Sequence, residues 1–126
     1  MKAWIPLTLA LALGTAVSAH ATCIYPRAPE APPDGSTATK DQMVAAAQDF
    51  KRYNGEMNSY LDCIKLEIDA ATPKDPKKLS SDEKKKADEQ QKILAQKNDA
   101  AVDELQAVVG RFNEQLRIFK AKQAAQ

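Results

Sequence analysis

Residues 39–72 read TKDQMVAAAQDFKRYNGEMNSYLDCIKLEIDAAT, and the spacing of apolar positions within them decides the fold. Met43, Ala47, Phe50, Met57, Leu61, Ile64 and Ile68 recur at intervals of three and four, with Asn54 in the one polar slot. Such a heptad stripe belongs to a helix that buries one face against another helix. Asn54-Gly55 is a turn signal, yet the stripe keeps its phase on both sides of it. One unbroken helix over about 40–70 is therefore expected, with Gly55 on its outer face at a cost of ~1 kcal/mol. Thr39 and Gln42 form a capping box at its start, and Asp41 suits the positive end of the helix dipole.

Downstream, Thr72-Pro73-Lys74-Asp75-Pro76 ends this helix, because proline lacks the amide donor and clashes with the preceding turn. Ser80 and Glu83 make a second capping box. A second helix over about 81–122 carries Ala87, Leu94, Asn98, Ala101, Leu105, Val108, Phe112, Leu116 and Phe119 on one face. Two helices with a short connection pack antiparallel. The expected fold class is all-α: an antiparallel, coiled-coil-like two-helix hairpin over 39–126.

If Ala71 and Ser81 face each other across the loop, opposed positions sum to about 152. Asn54 then meets Asn98, and the paired amides set the register of an otherwise apolar seam. In that register Phe112, Leu116 and Phe119 run past the start of helix 1. Unless the Asp34–Ala38 turn folds over them or the end frays, they form an apolar interaction surface for a second copy or another helical partner.

Upstream, residues 22–38 contain Pro26, Pro29, Pro32 and Pro33 ahead of an Asp34-Gly35 turn. This is an extended, polyproline-like arm. Its Cys23 is paired with Cys63 as a structural disulfide: redox dithiols usually sit as C-x-x-C, and these two are forty positions apart. The arm is long enough to fold back along helix 1, packing on Tyr53 and Tyr60 as it goes. Closing the loop contributes about 4 kcal/mol in the chain-entropy account.

Residues 1–21 read as a secretory signal peptide: Lys2, an apolar run from Leu7 to Val17, then small-residue cleavage patterns ending at Ala19 and Ala21. Cleavage after Ala21 removes Lys2 from the 18 basic residues and leaves 17 against 17 acidic ones. A neutral chain has no long-range field to recruit nucleic acid. His20, the sole histidine, is lost with the same cut. Histidine-activated nucleophiles and histidine-ligated metals go with it.

Clustered carboxylates such as Asp62, Glu67 and Asp69 fall outside the stripes and read as solvated charge, so no catalytic residue, metal ligand or cofactor is assigned. The loop and its flanks, residues 72–86, hold six lysines against three acids, a weak signal for an anionic membrane surface or lipopolysaccharide.

The run Pro26–Cys63, with Pro33-Asp34-Gly35, Ala38-Thr39, Met43, Tyr53, Met57 and Tyr60-Leu61, is one part of a wider pattern. Asn98, Val102-Asp103-Glu104, Val108 and Arg111-Phe112-Asn113 are the other part. Together they resemble a group of small secreted proteobacterial proteins with no assigned function. The resemblance spans most of the chain from residue 22 onward and implies a Gram-negative envelope setting, without any site residues. The expected function is that of an exported, periplasmic or secreted, non-enzymatic interaction or structural protein that binds a helical partner or itself. A membrane-surface binder acting through loop 72–86 and a holdase-like periplasmic chaperone are the alternatives.

Overall fold

The computed structural model describes residues 22–126; the expected signal peptide lies outside the described residues. Helix α1 spans Lys40–Ala71 and helix α2 spans Ser81–Ala124, joined through a 3-10 turn at Pro76–Lys78. Among the described residues there is no strand. Both capping boxes form. The Thr39 hydroxyl accepts from the Gln42 amide at 3.2 Å while Gln42 Oε1 accepts from the Thr39 amide at 2.9 Å. Glu83 does the same for Ser80 at 2.8 Å, and these bonds to its anionic form hold the Glu83 carboxyl below its ordinary range. Helix α1 passes through Asn54-Gly55 unbroken. Open space surrounds Gly55, so no packing demand opposes its helical conformation.

The arm becomes a strap. Cys23 is disulfide-bonded to Cys63, with the two Cα atoms 5.7 Å apart, which fastens its N-terminal end to α1. Its C-terminal end is seated on α2. The Gly35 amide donates to Gln115 Oε1 at 2.8 Å, and the glycine lies against the α2 backbone. A Cβ there would collide with the Gln115 carbonyl oxygen and sit 2.8 Å from the Phe119 amide nitrogen. The Asp34 carboxylate shapes this turn by accepting from the Ser36 hydroxyl and amide at 2.7 and 2.8 Å, which holds the Asp34 carboxyl below its ordinary range.

The strap changes which residues are inside. Tyr53, Met57, Tyr60 and Ile64 of α1 bury against Leu94, Ala101 and Val108 of α2. Tyr53 and Tyr60, expected to pack beside the seam, are part of the core, while Asn54 and Leu61 are only half-buried. A third layer on one flank of the helix pair turns the buried face of α1 toward that flank.

The register differs from the expected one. Phe50 stacks on Phe112 with ring centroids 5.0 Å apart, and Gln91 Nε2 donates to Thr72 Oγ1 at 3.2 Å. These pairs sum to 162 and 163 rather than 152, so Asn54 stands level with Val108 and Asn98 with Ile64. The two amides are about ten residues apart along the axis, or ~15 Å, and the expected Asn54–Asn98 pair does not form. The cause lies in the connection. Pro73 and Pro76 prevent a tight turn, and the chain from Thr72 to Ser80 climbs alongside α2 before α2 begins. The overhang is consequently at the other end. The first ten residues of α2 project past Ala71, whereas the C-terminal end of α2 is matched by α1. Phe119 buries with Met43 and Ala38, and Phe112 is also buried. Phe112 and Phe119 are therefore not part of the free end surface expected from sequence, because α1 and the Asp34–Ala38 turn cover them, while Leu116 packs beside them and stays half-buried.

Replacing Gly55 with alanine is expected to raise unfolding stability by about 1 kcal/mol, since it adds helix propensity without a clash. Gly35→Ala is expected to lower it by ~1–3 kcal/mol, because the methyl must push the strap off α2. Urea unfolding followed by circular dichroism checks both, and equal effects of one sign would contradict the account.

Candidate functional site

The seam between α1 and α2 has two flanks, and the sequence treats them differently. On the strap flank, Cys63 and Glu67 of α1 and Glu104, Arg111 and Gln115 of α2 lie on the sides of the helices turned toward the arm. Tyr25 packs edge-on to Tyr60 with centroids 4.9 Å apart, and its hydroxyl donates to Glu104 Oε2 at 2.6 Å. One tyrosine thus ties the strap to both helices. The Tyr53 hydroxyl lies beneath, buried with no hydrogen-bond partner among the described residues and close to the Glu104 carboxylate.

The strap has spare length. Twelve residues from Cys23 to Gly35 can reach ~37 Å as polyproline, while Cys63 to the level of Gly35's seat on α2 is ~27 Å of helix. Beneath the segment Pro29–Pro33 lies a cleft of about 660 Å³, floored by the stacked rings of Phe50 and Phe112. Asp49 and Arg111 stand at its sides. Its volume is within the range of small-ligand sites, but its polar groups carry both charges and define no single ligand chemistry.

Cys23, Cys63 and Glu67 bring two sulfurs and a carboxylate within 4.8 Å of one another. Joined as a disulfide, the sulfurs are not thiolates, and metal coordination requires thiolates. The 3.2 Å approach of Glu67 Oε1 to Cys23 Sγ is likewise a contact rather than a hydrogen bond, because the bonded sulfur carries no proton.

The other flank is uncovered. Ala47, Asn54, Leu61 and Ile68 of α1, each seven residues from the next, lie half-buried along it. Asn98, Val102, Leu105, Val109 and Leu116 of α2 are half-buried there too. Helical periodicity places these positions on the side of each helix away from the strap contacts. Val102 and Val109 are the signal that the sequence reading passes over: with Leu116 they make a seven-residue spacing beside the main stripe, legible once the stripe is allowed to be wider than two positions in seven. Among the described hydrogen bonds, neither Asn54 nor Asn98 has a side-chain partner.

The lysine-rich tip is the third feature. Residues 72–90 are mostly exposed, and Lys78 pairs with Asp75 at 3.0 Å. Among the described residues no helix is long and apolar enough to cross a membrane. Comparison of the chain with protein-family models, with curated proteins and with solved structures finds no match.

Burial raises the pKa of the Tyr25, Tyr53 and Tyr60 hydroxyls, and neighbouring Glu104 (for Tyr25 and Tyr53) and Glu67 (for Tyr60) raise them further. A phenol whose folded pKa exceeds its unfolded value of 10.0 contributes stability below pH 10 and loses it as pH rises toward the folded pKa. Unfolding midpoints are expected to fall steeply above pH 10. Phenylalanine at position 25 or 60 is expected to shallow the fall, as read by thermal melts at stepped pH.

Proposed function

We propose that this protein is an exported, non-enzymatic interaction module of the cell envelope that docks a helical element in the uncovered groove between α1 and α2. The single observation that supports the reading is the asymmetry of the hairpin. One flank is closed by a strap anchored at both ends, and the other presents a half-buried apolar stripe along both helices. Helix-in-groove recognition reads apolar anchors at this spacing. The disulfide supports an oxidising compartment. The strap also supplies what a groove needs, because a hairpin fastened on one flank resists opening when a partner presses into the other.

A second reading rests on the projecting tip. Ten residues of α2 stand clear of α1, and Lys84, Lys85 and Lys86 lie exposed within them. A phosphate-rich surface would gain ~1 kcal/mol per lysine near it. Binding of anionic vesicles that vanishes at high salt, and vanishes when these three lysines become glutamine, favours this reading over groove docking.

The docking reading is tested by a photo-crosslinking residue placed at Val102 in living cells. Crosslinked polypeptide is expected from Val102 and not from Leu66, which is 70% exposed on the outer face of α1. Equal yield from the two positions, or none from Val102, contradicts it.

A further inference from the structure

We infer that the occupant of the uncovered groove is a second copy of this chain, so that two strapped hairpins form an antiparallel four-helix bundle. The inference rests on the docking reading above and names its partner.

The width of the apolar stripe is the first argument. A helix that meets one partner needs two apolar positions in seven; a helix in a bundle needs a third. Beside the core positions, α1 carries Leu61 and Ile68, and α2 carries Val102, Leu105, Val109 and Leu116, all half-buried. Leu61, Ile68 and Leu105 pack inward on the hairpin core and Leu116 packs on the cluster of Ala38, Met43 and Phe119, yet all six keep part of their surface in solvent on the flank opposite the strap. It is the outward half of this stripe that a single hairpin leaves uncovered.

Size is the second argument. From Ala47 to Ile68 the stripe runs ~33 Å, and two helices side by side are ~20 Å across. Face-to-face contact of two such surfaces removes roughly 650 Å² from each copy, or roughly 1,300 Å² in total, which falls inside the range of stable specific interfaces. A single docked helix from another protein would cover only the central part of that width.

Charge chooses a second copy and sets its direction. Lys40, Lys51 and Asp62 are spaced by three helical turns, and Asp69 follows seven residues later, so all four share the edge of α1 that borders the groove. The basic pair lies in the N-terminal half of this edge and the acidic pair in the C-terminal half, with Lys65 the one cation among the latter. All four are exposed. Laying α1 antiparallel on the α1 of another copy sets lysines over aspartates twice. A parallel arrangement sets like on like. The edge is thus self-complementary in one orientation only, as an isologous two-fold interface requires.

The half-buried amides are the fourth. Asn54 and Asn98 interrupt the apolar stripe without meeting each other, and in bundles a polar residue at a seam position restricts partner and register at a cost in stability.

Sedimentation equilibrium of the disulfide-bonded protein tests the proposal. A dimer is expected, and L61K/L105K is expected to be monomeric with its helical circular dichroism retained. The charge variants keep the test decisive should that pair disturb folding. K40D/K51D is expected to weaken dimerisation at least tenfold, and adding D62K/D69K to it should restore the original affinity at low salt. A protein that remains monomeric to millimolar concentration overturns the second copy. In that case crosslinking from Val102 to a different polypeptide would leave the docking reading standing, and its absence would remove both. A dimer unaffected by the groove and edge variants also overturns the proposal, because its interface lies elsewhere.

Discussion

Everything in this structure depends on the strap being held at both ends. A pair of helices alone buries a single seam and leaves both flanks wet, which is a poor core for a chain of this length. The Cys23–Cys63 bond fixes one end of the arm to α1, and Gly35 seats the other on the backbone of α2. Between those points the prolines keep the arm extended with few conformations to lose, so its ordering costs little entropy. The arm acts as a third element, and Tyr53, the most enclosed tyrosine, is fully buried in the helix core near Tyr25 and Glu104 on the flank that the arm covers.

The same closure explains the polar chemistry of that flank. Prolines have no amide to donate, so the arm cannot join a sheet or a helix and depends on side chains for polar attachment. Tyr25 supplies one such attachment through Glu104, and the Asp34 turn supplies the other by directing the Gly35 amide at Gln115. These are few contacts for twelve residues. The covalent bond is what makes them sufficient, because it removes the freedom that an untethered arm would regain.

The asymmetry between flanks carries the functional reading. A closed flank with a small cleft and an open flank with an apolar stripe divide the hairpin into a supporting side and a presenting side. At the far end the proline-stiffened connection pushes the first turns of α2 beyond α1, so Lys84, Lys85 and Lys86 lie exposed past the end of that helix. Strap and groove lie on opposite flanks of the helix pair and the tip beyond the end of α1, so each presents its own surface.

Periodicity, caps and cysteine count were enough to read two helices, their limits to within two residues, the extended arm and the disulfide partner, because each of these is a local or covalent property. Thr39–Gln42 and Ser80–Glu83 mark helix starts wherever the helices later go. Leucine, valine and tyrosine positions also mark a stripe, but a stripe has width, and its centre depends on what packs on each side. Sequence alone therefore placed Asn54 inside and Tyr53 beside the seam, while the strap's bulk reversed them. Register was equally out of reach. It depends on the path of a nine-residue connection, and the stiffness of Pro73 and Pro76 displaced the helices by about ten positions from the alignment that a tight turn would impose. That displacement separated Asn54 from Asn98, covered Phe112 and Phe119, and exposed the start of α2. Short-range physics wrote the elements into the chain; where their faces point was decided by contacts among residues distant in sequence, which exist only once the strap, both helices and the connection are in place together.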